Sequence, residues 1–264
     1  MIEIRNCAGF DELEACVQLE IDTWGYEQSE IIPRKGFYIA QRIGGQVMGA
    51  FDTEIPASAA GGDAHRLIGF VMALTGAKTA PGQTPTPYLH SHMLAVRPAY
   101  RNQGLGARLK WEQRKEALSR GLTRMEWTFD PLEIKNAHLN IARLGVIVRR
   151  YQRDFYGPSS SPLQGGLPTD RVYAEWWLRS QRVEQILRGE TPHFQLVDQV
   201  SVPAEIYQWK ADPQHRDAAR GVQARNALAL ETAFVAGLSV LGYQRNEHGD
   251  GHFQLGVWNE GRSD

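Results

Sequence analysis

Apolar and polar positions alternate in short segments along the first half of the chain, a pattern that predicts strands separated by helices. Ile2–Cys7 alternates as a strand, and Asp11 is placed to cap a helix that extends to about Thr23. Phe37–Gln41 and Gln46–Thr53 flank a Gly-Gly pair and predict a β-hairpin. Four further strands are predicted, at Leu67–Leu74, Arg124–Phe129, Val146–Tyr156 and Val172–Leu178.

Glycines and prolines mark where helices end and where irregular segments lie. Ala107–Arg120 predicts a helix that ends at Gly121, and Asn136–Leu144 predicts a short helix that ends at Gly145. Three segments rich in Gly, Pro or small polar residues predict loops, at Ile55–Asp63, Gly76–Pro87 and Gly157–Asp170. We expect the last of these to be a mobile loop or a lid.

Beyond about Arg188 the pattern changes. Gln195–Val202 is predicted to be extended, Asp217–Leu238 is an alanine-rich helix with a clear apolar stripe, and Leu238–Arg245 with His252–Trp258 predicts a hairpin. We therefore predict an α/β chain whose first domain spans residues 1–185. A strand, helix and hairpin at residues 186–264 form an extension packed on it.

The balance of charged residues indicates which kinds of partner to expect. The 264 residues contain 29 Lys and Arg against 30 Asp and Glu, and the formal net charge of -1 creates no large field of one sign. We therefore expect no nucleic acid and no anionic membrane as a partner. The first residues lack the continuous apolar run of a signal peptide or a membrane span, so the sequence predicts a cytoplasmic protein. It leaves the oligomeric state, including a homodimer, open.

Cysteine chemistry is not expected. Cys7 and Cys16 are the two cysteines of the chain, and without a disulfide framework we interpret them as buried thiols rather than a redox pair.

The segment from His90 to Leu109 carries the strongest chemical signal, because a strand-like alternation leads directly into a glycine-spaced turn that opens a helix. Gly104 and Gly106 allow the backbone to approach a ligand closely. Amides in the first turn of a helix carry partial positive charge and favour an anion. The ligand is therefore expected to bring phosphates. The Gly-Lys-Ser/Thr ending of a P-loop is absent, which disfavours a nucleotide-phosphate enzyme.

This segment resembles the GCN5-related N-acetyltransferase (GNAT) superfamily, whose Arg/Gln-x-x-Gly-x-Gly/Ala turn binds the pyrophosphate of coenzyme A. The matching residues are Arg101, Asn102, Gln103, Gly104, Leu105 and Gly106, and they follow Leu94, Ala95, Val96, Arg97 and Pro98. The resemblance covers about residues 1 to 180. It implies a mixed, largely antiparallel central sheet with splayed fourth and fifth strands.

The resemblance assigns roles to these residues. Pantetheine would lie in the gap between the splayed strands, on backbone groups of Leu94, Ala95 and Val96, and Asn136 matches the family's asparagine that contacts pantetheine. An amide of Leu94 or Val96 would polarise the thioester oxygen, where negative charge develops. Acetyl-CoA is therefore the expected co-substrate, with no metal.

His90 and His92 are the candidate bases for an amine acceptor. Residues two apart on a strand share a face, so both imidazoles should project with Leu94, and an unperturbed histidine titrates near 6.5. The strand resembles the paired-histidine strand of the arylalkylamine N-acetyltransferases. Two other interpretations stay open. The pair could be satisfied polar positions on a half-exposed strand, or two metal ligands, although no third ligand with recognisable spacing is present.

One position departs from the family. Many members place a tyrosine four residues before the glycine that ends the fourth helix, where it can protonate the leaving thiolate, and here that position is Ile141. Acetyl transfer to an amine of a small molecule or peptide, by direct attack in a ternary complex, is the expected function. A non-catalytic acyl-CoA-binding sensor or interaction module is the alternative that Ile141 suggests. Trp24, Tyr26 and Glu27 are the candidate acceptor residues.

Overall fold

The computed structural model describes residues 1–56, 62–79 and 81–259 of the chain. Parts of the predicted loops Ile55–Asp63 and Gly76–Pro87 therefore lie outside the described residues. The chain divides into two compact units, residues 1–126 and 127–264. The domain boundary predicted near residue 185 stays a prediction.

The first unit is built on largely antiparallel strands with helices on both faces. Its elements are β1 (Ile2–Asn6), α1 (Gly9–Trp24), α2 (Arg34–Arg42), β2 (Gln46–Asp52), β3 (Leu67–Lys78), β4 (Thr86–Val96), α3 (Leu105–Ser119) and β5 (Arg124–Phe129), whose end lies in the second unit. The strands are ordered β1-β2-β3-β4-β5. The pairs β1–β2, β2–β3 and β3–β4 are antiparallel, and β4–β5 is parallel.

Alternation along β4 distributes its side chains to two apolar clusters. Met93 and Ala95 pack in a cluster with residues of α1 and α2, including Phe37. Leu94 and Val96 pack in a second cluster with residues of α3. The sheet therefore has α1 and α2 on one face and α3 on the other, as expected for a strand that is buried on both faces.

The hairpin predicted at Phe37–Gln41 is wrong, because this segment is the helix α2. Its two buried residues, Phe37 and Ala40, are three positions apart and therefore lie on one helical face. The chain then turns directly into β2, with the amide of Gly45 donating to the carbonyl of Ala40 at 2.7 Å.

The second unit contains strands of the main sheet and a separate three-stranded sheet. Its elements are α4 (Ile134–Ala137), which continues as a π-helical turn (His138–Arg143), β6 (Tyr151–Gln152), β7 (Arg171–Trp177), α5 (Gln181–Leu187), β8 (Asp198–Val202), α6 (Ile206–Ala211), α7 (Arg216–Val235), β9 (Leu238–Arg245) and β10 (Gly251–Val257). Within this unit β7 lies between the end of β5 and β6, and the small sheet is ordered β8-β10-β9.

Several predictions for this unit are confirmed and others are not. The hairpin of β9 and β10 and the long helix α7 are confirmed. The strand predicted at Val146–Tyr156 is reduced to β6 and to isolated bridges at Ile147 and Val148. Helix α5 was not predicted. In the part of the chain that the structure describes, no helix is long and apolar enough to cross a membrane.

Two glycines provide a matched test of backbone packing. A Cβ at Gly45 would lie 2.7 Å from the carbonyl oxygen of Ala40 and still closer to that of Ala73, so neither neighbour can move without shifting backbone. Gly45→Ala should lower the free energy of unfolding by about 2–4 kcal/mol, measured by urea denaturation. Gly221 lies within α7 with open space around it, so Gly221→Ala should raise stability by about 0.5–1 kcal/mol. Equal effects at both positions would contradict this packing.

Candidate functional site

The glycine turn presents an uncapped helix N-terminus. Helix α3 begins at Leu105, and Gly104 before it has a left-handed φ of 79° that favours glycine. Gly104, as the N-cap residue, has no side chain that could cap this end, and the first turn of α3 holds no acidic residue. The position of a Cβ on Gly104 is open space. The amides of the first turn have no partner within the helix, so this end of α3 can bind an anion.

The arginine of the turn is held against the strand that precedes it. Nε of Arg101 donates to the carbonyl of Val96 at 2.8 Å, and Nε2 of Gln103 donates to the carbonyl of Ala99 at 2.9 Å. Both residues are exposed, as is Asn102, which has a φ of 62°. The structure therefore brings these residues of the motif together beside the end of β4, and their contact with a pyrophosphate stays a prediction.

One edge of β4 is largely unpaired. Among the described residues, the ladder between β4 and β5 consists of Leu89 with Met125 and His90 with Glu126. The amide of Arg97 donates to the carbonyl of Ile68 on the β3 side at 2.8 Å. Since backbone groups of successive residues face opposite edges, those of Val96 and Leu94 face away from β3. This confirms the predicted splay of the fourth and fifth strands.

Ala95 differs from its two neighbours. By the same alternation its backbone groups face β3, where it pairs with Phe70. The structure therefore directs Leu94 and Val96, but not Ala95, to the free edge.

A β-bulge lies at the histidine pair. Met72 and Ala73 are adjacent on β3, but their partners on β4 are Met93 and Ser91, so His92 is the extra residue. The centroids of the His90 and His92 rings are 6.0 Å apart. The predicted proximity of the two imidazoles is therefore present.

The bulge also shifts the alternation of side chains by one residue. Ser91 bonds Lys110 of α3, and Leu94 packs in the cluster on α3, although the two are three positions apart. His90 faces the opposite side from Ser91. The expectation that both imidazoles project with Leu94 is therefore not met, because an unbulged strand was assumed.

Burial sets the charge state of the pair. The pKa of His90 is lowered to about 4, first by burial, then by His92 and by the cations of Lys110 and Lys78, while the Glu126 carboxylate opposes this. Burial also lowers the pKa of His92. Both imidazoles are neutral at neutral pH, so each can accept a proton, but His90 is a weaker base than an ordinary histidine.

Comparison with known proteins identifies this architecture. Residues 13–140 match the model of the acetyltransferase (GNAT) family. This segment, from within α1 to the π-helical turn, is therefore similar to the acetyltransferase domain of that family. Among curated proteins, none matches the sequence.

Several solved structures share the fold of this chain. NAA60 of Arabidopsis thaliana in complex with acetyl-CoA has a TM-score of 0.52 and 18% identity, and the match covers 67% of this chain and 99% of that chain. The same protein in complex with a bisubstrate analogue has a TM-score of 0.52 at 17% identity, over 67% and 99% of the two chains. An N-acetyltransferase of Staphylococcus aureus Mu50 has a TM-score of 0.50 at 15% identity, over 68% and 99%. The predicted fold class is confirmed.

The candidate acceptor residues lie at the end of α1 and directly after it. The rings of Trp24 and Tyr26 are stacked, with centroids 6.1 Å apart and an interplanar angle of 8°. Trp24 packs partly on the cluster of α1 and α2, and Glu27 is exposed. The structure thus brings the rings of Trp24 and Tyr26 together, and Trp24 also covers the core.

Sequence reasoning missed Glu20, which is a fully buried carboxyl group on the core face of α1. Its Oε1 accepts a hydrogen bond from the amide of Ile32 at 3.0 Å, and Oε2 is buried with no hydrogen-bond partner in the described structure. Burial raises the pKa of Glu20 to about 7. Its spacing of four residues from the buried Cys16 was the available signal, because it puts an acid on the apolar stripe.

Two predicted residues lie in the second unit. Asn136 is exposed on α4 and its Oδ1 accepts from Nδ2 of Asn140 at 3.1 Å. Ile141 is fully buried in the π-helical turn, a feature frequent at functional sites. The contact of Asn136 with pantetheine stays a prediction.

The cysteines are buried free thiols, as predicted, with Sγ atoms 3.8 Å apart. The hydrogen bond with Cys7 and burial raise the pKa of Cys16 well above its ordinary value, which makes it a poor nucleophile. Nowhere in the described ranges do three His, Cys, Asp or Glu side chains gather in a way that could hold a metal ion.

Glu20 should make stability depend on pH. Its pKa rises from an ordinary 4.5 to about 7 on folding, so the folded chain retains a proton that the unfolded chain loses, and stability falls as pH rises through this interval. Glu20→Gln removes the charge, and at about pH 8.5 it should be more stable than wild type by about 2 kcal/mol in urea unfolding. Near pH 5 the gain should shrink to below about 1 kcal/mol.

Glu14 is the matched control, because it is an exposed glutamate on the same helix. Glu14→Gln should show no such dependence on pH. A constant difference between Glu20→Gln and wild type across this range would contradict the buried, titrating carboxyl group.

Proposed function

We propose that this chain is an acetyl-CoA-dependent N-acetyltransferase that transfers an acetyl group to an amine of a small molecule or a peptide by direct attack in a ternary complex. One observation carries the proposal. The uncapped N-terminus of α3 and the unpaired edge of β4 are joined by the short turn from Arg97 to Gly104, within one unit. A pyrophosphate site and an amide edge for an extended arm are what a coenzyme A thioester requires.

Different residues of this unit bind different parts of acetyl-CoA. The amides from Gln103 to Gly106 and the guanidinium of Arg101 bind the pyrophosphate. Backbone groups of Leu94 and Val96 hold the extended arm as a neighbouring strand would. Acetyl-CoA supplies the thioester, and an amide of Leu94 or Val96 donates to its oxygen, where negative charge grows as the amine attacks.

The amine must lose a proton for the transfer to finish. His90 and His92 are neutral at neutral pH and lie side by side at the bulge, so they accept that proton, directly or through water. A lowered pKa reduces the driving force for proton transfer, and the contribution of the pair therefore depends mainly on its position.

The leaving sulfur receives no proton from the family's usual position. Ile141 is apolar and buried, so the thiolate leaves unprotonated or takes a proton from solvent. On the acceptor side, the ring faces of Trp24 and Tyr26 and the carboxylate of Glu27 bind a cationic amine.

A non-catalytic acyl-CoA sensor is the alternative, and it is favoured by Ile141, which stands where many members of the family have a tyrosine. Incubation with acetyl-CoA and an amine library separates the two functions. A transferase releases free coenzyme A thiol in proportion to acetylated amine, whereas a sensor binds acetyl-CoA and releases none.

Arg101→Gln should weaken coenzyme binding through the pyrophosphate. Loss of one charge-assisted hydrogen bond of about 1.5 kcal/mol should raise the Kd for acetyl-CoA about tenfold in calorimetry. The Kd for S-acetylpantetheine, which lacks the pyrophosphate, should stay within about twofold. Arg114→Gln, farther along α3, is the control. An equal loss for both ligands would mean that Arg101 does not bind the phosphates.

Replacement of both histidines should affect turnover and not binding. His90→Ala with His92→Ala should lower kcat at least about tenfold while the Kd for acetyl-CoA is retained. With the pKa of His90 near 4, its imidazole stays neutral between about pH 6 and 8, so the wild-type rate should lose its His90-dependent part only as pH falls toward 4. An unchanged kcat in the double variant would exclude the pair as the base.

A further inference from the structure

A buried polar network joins α3 to β4 behind the histidine pair. Lys110 of α3 and Ser91 of β4 are each 3% exposed. Nζ of Lys110 donates to Oγ of Ser91 at 2.6 Å, and Oγ of Ser91 donates to Oε1 of Gln113 at 2.9 Å. Lys110 and Gln113 are three residues apart, so one face of α3 provides both contacts.

Packing alone does not require a lysine at this position. The neighbouring contacts of α3 with the sheet are made by Leu105 and Leu109 in an apolar cluster. Burial of an ammonium group is costly, and desolvation lowers the pKa of Lys110 well below its ordinary value. A buried hydrogen bond, unlike an apolar contact, fixes which atoms meet.

Ser91, the residue that Lys110 bonds, stands between the two histidines in the sequence. A bulge that slips by one residue along β4 would turn the neighbouring side chains to the other face. The bond from Lys110 holds Ser91 on the α3 side, so His90 is held on the opposite side and His92 remains the extra residue. Helix α3 also begins at the glycine turn, so the same helix carries the proposed phosphate site.

We propose that Lys110 and Ser91 are positioning residues, which lock the bulge of β4 to α3 and so fix the His90 imidazole relative to the bound thioester. This inference rests on the proposed function. Neither side chain contacts the acceptor or the thioester in this role, and both act through His90.

Kinetics of matched variants test the proposal. Lys110→Met and Ser91→Ala should each lower kcat about tenfold and leave the Kd for acetyl-CoA within about twofold, because position and not coenzyme binding is lost. Ser91→Thr, which keeps the hydroxyl, should restore most of kcat. Lys115→Met is the control for a lysine on the same helix, since its side chain is 79% exposed and pairs with Glu112.

The same substitution made in a chain that lacks the His90 imidazole distinguishes a positioning role from general destabilisation. In a His90→Ala chain, Lys110→Met should lower kcat by less than about twofold, because the group through which it acts is gone. The same tenfold loss in both backgrounds would overturn the proposal.

Nuclear magnetic resonance provides a readout that does not need activity. The C2–H resonance of His90, assigned by its loss in His90→Ala, should shift in Lys110→Met and Ser91→Ala and stay in place in Lys115→Met. Ser91→Ala is the milder change and keeps the test available if Lys110→Met does not fold. A resonance that shifts in neither variant would overturn the proposal. Absence of turnover in wild type together with the shifts would instead refute only the proposed function.

Discussion

The site depends on the unequal pairing of β4. This strand is bonded to β3 along its length, but in the described part of the chain it pairs with β5 at only two positions. A strand inside a sheet ordinarily uses the backbone groups of both edges, and a polar group left unpaired away from water is costly. Leu94 and Val96 therefore present groups that need a partner. Arg101 takes the carbonyl of Val96, and an extended ligand can satisfy the others.

Burial dominates the electrostatics of the histidine pair. Glu126 stands directly opposite His90 in the parallel ladder, and such a carboxylate favours a charged imidazole. Its oxygens are already bonded by Lys78 and Arg124. The net result is a pKa of His90 near 4. Such an imidazole is unprotonated at neutral pH, but it is a weak base. Catalysis by this pair therefore depends more on accurate placement than on basicity.

The sequence predicted features that are local and missed features that arise from pairing between segments. The glycine turn was predictable because the left-handed φ of Gly104 favours a residue without a side chain. Helix α2 was missed because a short apolar run before two glycines fits a strand and a helix alike. The bulge at His92 cannot be recognised in the amino-acid sequence of β4, since it is defined by how β4 pairs with the adjacent Met72 and Ala73 on β3. Because of the bulge, Leu94 shares a face with Ser91 and not with His90. Strand periodicity alone could not predict this feature of the site.

Two buried polar side chains occupy opposite faces of the same sheet. Glu20 interrupts the cluster of α1 and α2 and bonds the amide of Ile32, and Lys110 interrupts the α3 side and bonds Ser91. An apolar residue at either position would avoid the cost of desolvation, so neither is explained by stability. Each instead fixes one segment, the connection after α1 and the bulge of β4. At both places a directed hydrogen bond stands where apolar packing would be more stable. What these bonds provide is therefore a fixed position for the backbone and side chains that they hold.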